Sequence, residues 1–148
     1  MAVEMVKGYE WVLMALIANV LVTNVWMMFK VGMARTKYKV SYPAMYAVES
    51  ENKEAKLFNC IQRGHQNTLE FMPTFLALLL LGGLQYPLVA AGFGALYTLA
   101  RIQYFRGYST GVALARYSGG ARAQWIGLLG LLCCTFALAL HQVFPTIV

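Results

Sequence analysis

Three side chains able to hold a charged ligand stand together in FNCIQRGHQNTLEFMP, Phe58 to Pro73. Arg63, Asn67 and Glu70 follow at steps of four and three, so in a helix of 3.6 residues per turn they share one face. Gln66 lies beside them and His65 points away. A second stripe, Tyr97, Arg101, Tyr104 and Tyr108, recurs at steps of four, three and four, and its last members reach the level of Arg63. A cleft between two such stripes suits a small zwitterion with more than one carboxylate. Guanidinium binds carboxylate as a fork, a glutamate receives an ammonium, and amides or phenols bind peptide groups.

The stripes stand at the mouths of apolar runs, where charge is costly and persists mainly where it pairs or binds. Of 148 residues, 59% are hydrophobic and 12% charged, which excludes an ordinary soluble domain and predicts a single all-α integral membrane domain. Trp11 to Phe29 is free of charge and matches the ~20 residues a helix needs to cross a bilayer. Four spans are expected, at about 10–34, 60–86, 88–107 and 121–144. Asn19 and Thr23 share a face of the first and are expected to hydrogen-bond across a helix interface. Lys30, Arg35, Lys37 and Lys39 mark its exit, and Glu49 to Lys56 reads as a solvated loop. Pro73 predicts a kink in the second span, because proline removes a backbone hydrogen bond and crowds the carbonyl of Leu69. Gln85-Tyr86-Pro87 leaves room only for an antiparallel hairpin, and Ala90, Ala91, Gly92, Gly94 and Ala95 allow close helix approach in the third span.

Six acidic residues, all Glu, face twelve Lys and Arg. The excess reads as topology and contact with anionic headgroups, since no basic cluster interleaved with aromatics points to nucleic acid. Lys and Arg gather in the loops after spans one and three and are missing from the turn after span two, which places Arg63 and its neighbours on the cytosolic side. The segment before the first span carries Glu4, Lys7 and Glu10, and that span is expected to stay in the mature protein. Cys60, Cys133 and Cys134 have no metal-ligand spacing, and no metal site is expected.

Plainer readings compete. Arg63 and Glu70 can form a structural ion pair on one helix. The tyrosines can form an interfacial belt, Tyr97 can pack inside, and Arg116 and Arg122 can be topology anchors.

FNCIQRGHQNTLEFMP, ARTKYKVSYP before it and RIQYFRGYSTG in the third span together resemble the MAPEG family of membrane proteins in eicosanoid and glutathione metabolism, and within it the type 3 microsomal glutathione S-transferase branch. The resemblance implies a homotrimer of four-helix subunits that binds glutathione, with no metal, between neighbouring subunits at the cytosolic side. By matching position, Arg63, Asn67, Glu70, Tyr104 and Tyr108 hold the peptide from one subunit while Arg35 and His65 reach it from the next. Lys37, Gln66 and Arg101 are supporting candidates. In the leukotriene C4 synthase branch a thiolate-stabilising arginine follows the second tyrosine of the stripe by seven residues. Here that place is Ala115, and the role passes to Arg116, one further on. Phe71 stands where relatives have a tyrosine, and Thr36 where they have a basic residue, with Lys37 next to it.

The activity so implied is glutathione transfer to lipophilic electrophiles, such as leukotriene-type epoxides, or reduction of lipid hydroperoxides. The implied location is the endoplasmic reticulum or outer mitochondrial membrane. A lipid-presenting scaffold of the same family is the alternative, although a scaffold needs no glutathione cradle. A small transporter is disfavoured because the charge is confined to one side of the membrane.

Overall fold

The computed structural model describes residues 6–144, so Glu4 lies outside the described residues. Four long helices follow the four apolar runs: α1 (Tyr9–Tyr38), α2 (Ala55–Gly83), α3 (Pro87–Tyr108) and α4 (Ala123–Val143). A short 3-10 turn, Ala113–Tyr117, lies between α3 and α4. α1 and α4 are long and apolar enough to cross a membrane. α2 and α3 carry the polar stripes.

Local chemistry sets the ends. Lys39 adopts a left-handed conformation (φ 55°) that stops α1, and the Val40 amide caps the Arg35 carbonyl at 3.0 Å. The helix therefore runs through Lys30, Arg35 and Lys37 and ends at Lys39, the last of the basic residues expected to mark its exit. Before α2, the Asn52 side chain accepts the Glu54 amide at 2.9 Å. Pro87 opens α3 at a position whose missing N–H costs nothing. The turn before it joins α2 and α3 as expected. α2 stays helical through Pro73.

Within α1 the backbone widens into a π-helical segment, Leu21–Met27. Polar side chains gather there: Asn19 donates to the Thr98 hydroxyl at 3.0 Å, and Thr23 donates to the Asn19 carbonyl at 2.9 Å. The Asn19 bond joins α1 to α3, the cross-helix role expected of it.

Two apolar clusters hold the bundle. At the far end, Val12, Phe75, Leu79, Tyr97 and Leu131 form a dry core in which the Phe75 and Tyr97 rings stack at 4.5 Å. Tyr97 is thus an inside residue, not part of a belt. At the charged end, Met27, Phe58, Ile61 and Phe105 fill the space among α1, α2 and α3. α4 approaches α3 closely because Gly127 has no side chain: a Cβ there would lie 2.9 Å from the Phe93 carbonyl and the Tyr97 amide nitrogen. Outward faces of α1 and α4 expose Trp11, Met14, Ile17, Leu129 and Phe136, the apolar surface that lipid would cover.

Candidate functional site

The α2 face forms as the spacing predicts. Arg63 donates to Glu70 at 2.6 Å, and the Asn67 amide donates to the other carboxylate oxygen at 3.4 Å. Both charged side chains are well exposed, 39% for Arg63 and 45% for Glu70. The ion pair considered from sequence is therefore present, on an open face where a ligand can compete for it.

Arg101 is the centre of the charged end. Only 2% of it is exposed, and it ties α3 to two other helices. Its guanidinium donates to Gln124 of α4 at 2.6 Å, and to Thr68 at 2.6 Å and Asn67 at 3.0 Å on α2. The Tyr104 ring lies 4.3 Å from it. Its Nε has no hydrogen-bond partner among the described residues. Burial of a cation without a bonded carboxylate is expensive, so the position favours an incoming anion.

Arg116 comes from the 3-10 turn and is held differently. Its guanidinium lies between two rings, 5.2 Å from the Tyr108 centroid and 4.8 Å from that of Tyr117, and it reaches the Tyr108 hydroxyl at 3.3 Å. Its buried Nε also lacks a partner among the described residues. The Tyr117 hydroxyl foremost, with Tyr104 and Tyr108 adding, holds its pKa above the ordinary arginine value, so the group is a permanent cation.

These residues enclose one cavity of about 240 Å³. Arg63, Arg101 and Arg116 line it together with Asn67, Tyr104 and Tyr108. Phe71, Tyr117, Gln124 and Trp125 complete the wall, which among the described residues contains no carboxylate. A second cavity of about 260 Å³ shares Arg63 and Tyr108 and extends toward Tyr46, Asn59 and Cys60. The two adjoin at Arg63 and Tyr108 as one groove: the first part carries three guanidinium groups, three phenols and the apolar rings of Phe71 and Trp125, and the second adds Lys56 and Glu49. Such a groove can bind an anion, hold peptide groups and lower the pKa of a thiol placed near the guanidinium groups.

Five of the residues expected at the site therefore meet at this cavity: Arg63, Asn67, Tyr104, Tyr108 and Arg116. Arg101, expected only in support, is central. Glu70 stands at the rim through its bonds to Arg63 and Asn67. Four others lie elsewhere in the chain. Arg35 is buried against Tyr42 and Phe58 and donates to the Ala44 carbonyl at 2.8 Å. His65 faces α1, with Nε2 3.0 Å from the Thr23 carbonyl in the π-helical segment. Gln66 accepts from the Tyr46 hydroxyl, and Lys37 sits over its neighbour Tyr38. Tyr117, Gln124 and Trp125 were not anticipated. Tyr117 adjoins Arg116 in sequence, but only the folded turn shows that its ring faces the same cavity.

Residues 12–139 match the MAPEG family. Human microsomal glutathione S-transferase 2 is 34% identical over 116 residues, covering 78% of this chain and 72% of that protein. The mouse protein of that name is 39% identical over 82 residues, where the match spans about half of each, 55% of this chain and 51% of the mouse protein. Bovine leukotriene C4 synthase is 38% identical over 82 residues, 51% of this chain and 55% of its own length. These relatives do not single out the type 3 branch.

Proposed function

This chain belongs to the MAPEG family, and we propose that it is a membrane-embedded glutathione transferase and peroxidase whose site is the three-arginine cavity. The observation that carries this reading is the pair of buried guanidinium Nε atoms, on Arg101 and Arg116, without partners among the described residues in the wall of one cavity. The names of relatives support glutathione transfer and leukotriene synthesis as the class of chemistry.

In the proposed mechanism Glu70 exchanges Arg63 for the ammonium of glutathione, and the freed Arg63 takes a carboxylate. Asn67, Tyr104 and Tyr108 hold the peptide, and Arg101 fixes Asn67 in place. The thiol then lies near Arg116, whose permanent charge favours the thiolate, the nucleophilic form. With an epoxide, sulfur attacks carbon, the carbon–oxygen bond breaks and the oxygen takes a proton from water. With a hydroperoxide, sulfur attacks the terminal oxygen, the alkoxide leaves and is protonated, and a second glutathione converts the sulfenic acid to the disulfide and water. Lipid enters past Phe71 and Trp125 while glutathione arrives from the aqueous side, and their meeting supplies much of the rate gain.

The four-span topology, the homotrimer and a cytosol-facing site in the endoplasmic reticulum or outer mitochondrial membrane belong to the same proposal. So does closeness to the type 3 branch, supported by the placing of Arg116 one residue beyond Ala115. In a trimer, Arg35 and His65 would each exchange a partner within their own chain for the neighbour's ligand. Gln66 and Lys37 remain candidates at the rim. A lipid scaffold would gain nothing from three arginines around one cavity.

Calorimetric titration of the purified protein in detergent with glutathione tests the reading. Saturable binding, weakened by Arg63→Ala, is expected; an absence of binding by the wild type overturns it.

A further inference from the structure

We propose that Gly107 and Tyr117 are positioning residues that set the Arg116 guanidinium in the cavity, Gly107 by seating the 3-10 turn on α3 and Tyr117 by closing an aromatic clamp against Tyr108. The proposal rests on the preceding reading for the chemistry Arg116 performs, but not for the geometry.

Gly107 comes first because its constraint is backbone against backbone. A Cβ at this position would collide with the Ala115 carbonyl oxygen, and it would also stand 2.9 Å from the Ala115 carbonyl carbon and 3.3 Å from the Arg116 Cα. No rotamer relieves such contacts; the turn itself must move. That carbonyl is also held from its other side, since the Ser118 amide donates to it at 3.0 Å and the Ser118 hydroxyl at 2.7 Å. Displacing the turn therefore breaks its own bonds and carries Arg116 away from Tyr108.

Tyr117 acts on the side chain instead. Its ring meets the Tyr104 ring edge-on at 6.2 Å, and Tyr104 in turn lies against Arg101. Arg101, Tyr104, Tyr117, Arg116 and Tyr108 therefore form a continuous series of two cations and three rings. Each ring face draws a guanidinium toward it while leaving its N–H groups free for an anion. Tyr117 thus holds Arg116 mainly by its ring face, and the Arg116 Nε, without a partner among the described residues, stays available to a thiolate.

The test compares Gly107→Ala, Tyr117→Leu and Tyr117→Phe with wild type by three readouts: hydrogen exchange at residues 113–118, glutathione affinity, and ultraviolet thiolate absorbance of bound glutathione. Gly107→Ala is expected to speed exchange at Ser118 and to reduce thiolate formation up to about tenfold, no more than loss of Arg116 itself, with affinity changed far less. Tyr117→Leu is expected to reduce thiolate formation about fivefold, and Tyr117→Phe to restore most of that loss. Unchanged exchange and thiolate formation in Gly107→Ala, or Tyr117→Leu indistinguishable from wild type, overturns the proposal. Should Gly107→Ala fail to fold, the two Tyr117 variants decide. A wild type that binds no glutathione overturns the functional reading instead, and exchange still reports on the seating of the turn.

Discussion

Arg101 and Arg116 line the same cavity, yet they are built into the molecule by opposite means. Arg101 is buried on a long helix and hydrogen-bonded to side chains of α2 and α4. Arg116 sits on a short turn between two tyrosine rings and donates a long hydrogen bond to the Tyr108 hydroxyl. Arg101 spends its terminal nitrogens on the fold and keeps only Nε without a partner among the described residues. Arg116, held mainly by ring faces, keeps more of its donors for a ligand. The difference assigns Arg101 to the frame of the site and Arg116 to its chemistry.

Removing Arg101 should produce the largest effect. Arg101→Leu leaves Thr68, Asn67 and Gln124 without their shared partner in a buried setting, and a loss of about 3 kcal/mol or more in unfolding free energy is expected. Thermal unfolding in detergent checks this. A variant as stable as wild type would erase the distinction between the two arginines.

Glu70→Gln comes next. Loss of the charge that receives an ammonium should weaken glutathione binding about tenfold, read by calorimetry, while the thiolate fraction of bound glutathione stays close to wild type. A drop in thiolate fraction at full occupancy would place Glu70 in the chemistry instead. Thr68→Val, which removes one acceptor of Arg101 and keeps its volume, should cost about 1 kcal/mol in stability and leave Arg116-dependent thiolate formation in place.

Bonds that run along one helix are legible in the chain, whereas the partners in bonds between elements are not. Helix periodicity was enough for Arg63, Asn67 and Glu70, because their bonds run along one element and depend only on spacing. The apolar runs pointed to four helices, of which α1 and α4 are long and apolar enough to cross a membrane. Arg101 was on the right face but its weight was hidden, since Gln124 meets it only when α4 packs against α3. Tyr117 and Gly107 depend on a turn whose path no periodicity encodes. The π-helical widening of α1 has no sequence period of its own either, and it occupies His65 through the Thr23 carbonyl. His65 was correctly turned away from Arg63, but spacing alone could not say what it would meet.

The central claim is that Arg116 makes the thiolate, and the most direct measurement is the pH titration of thiolate absorbance for glutathione bound to wild type and to Arg116→Ala. Arg116 stays protonated throughout, its pKa being raised by Tyr117, so the thiol alone titrates and the signal rises with pH. In the variant, with glutathione still bound, the midpoint should move up by about one to two pH units. The same midpoint in both proteins at full occupancy would contradict the claim.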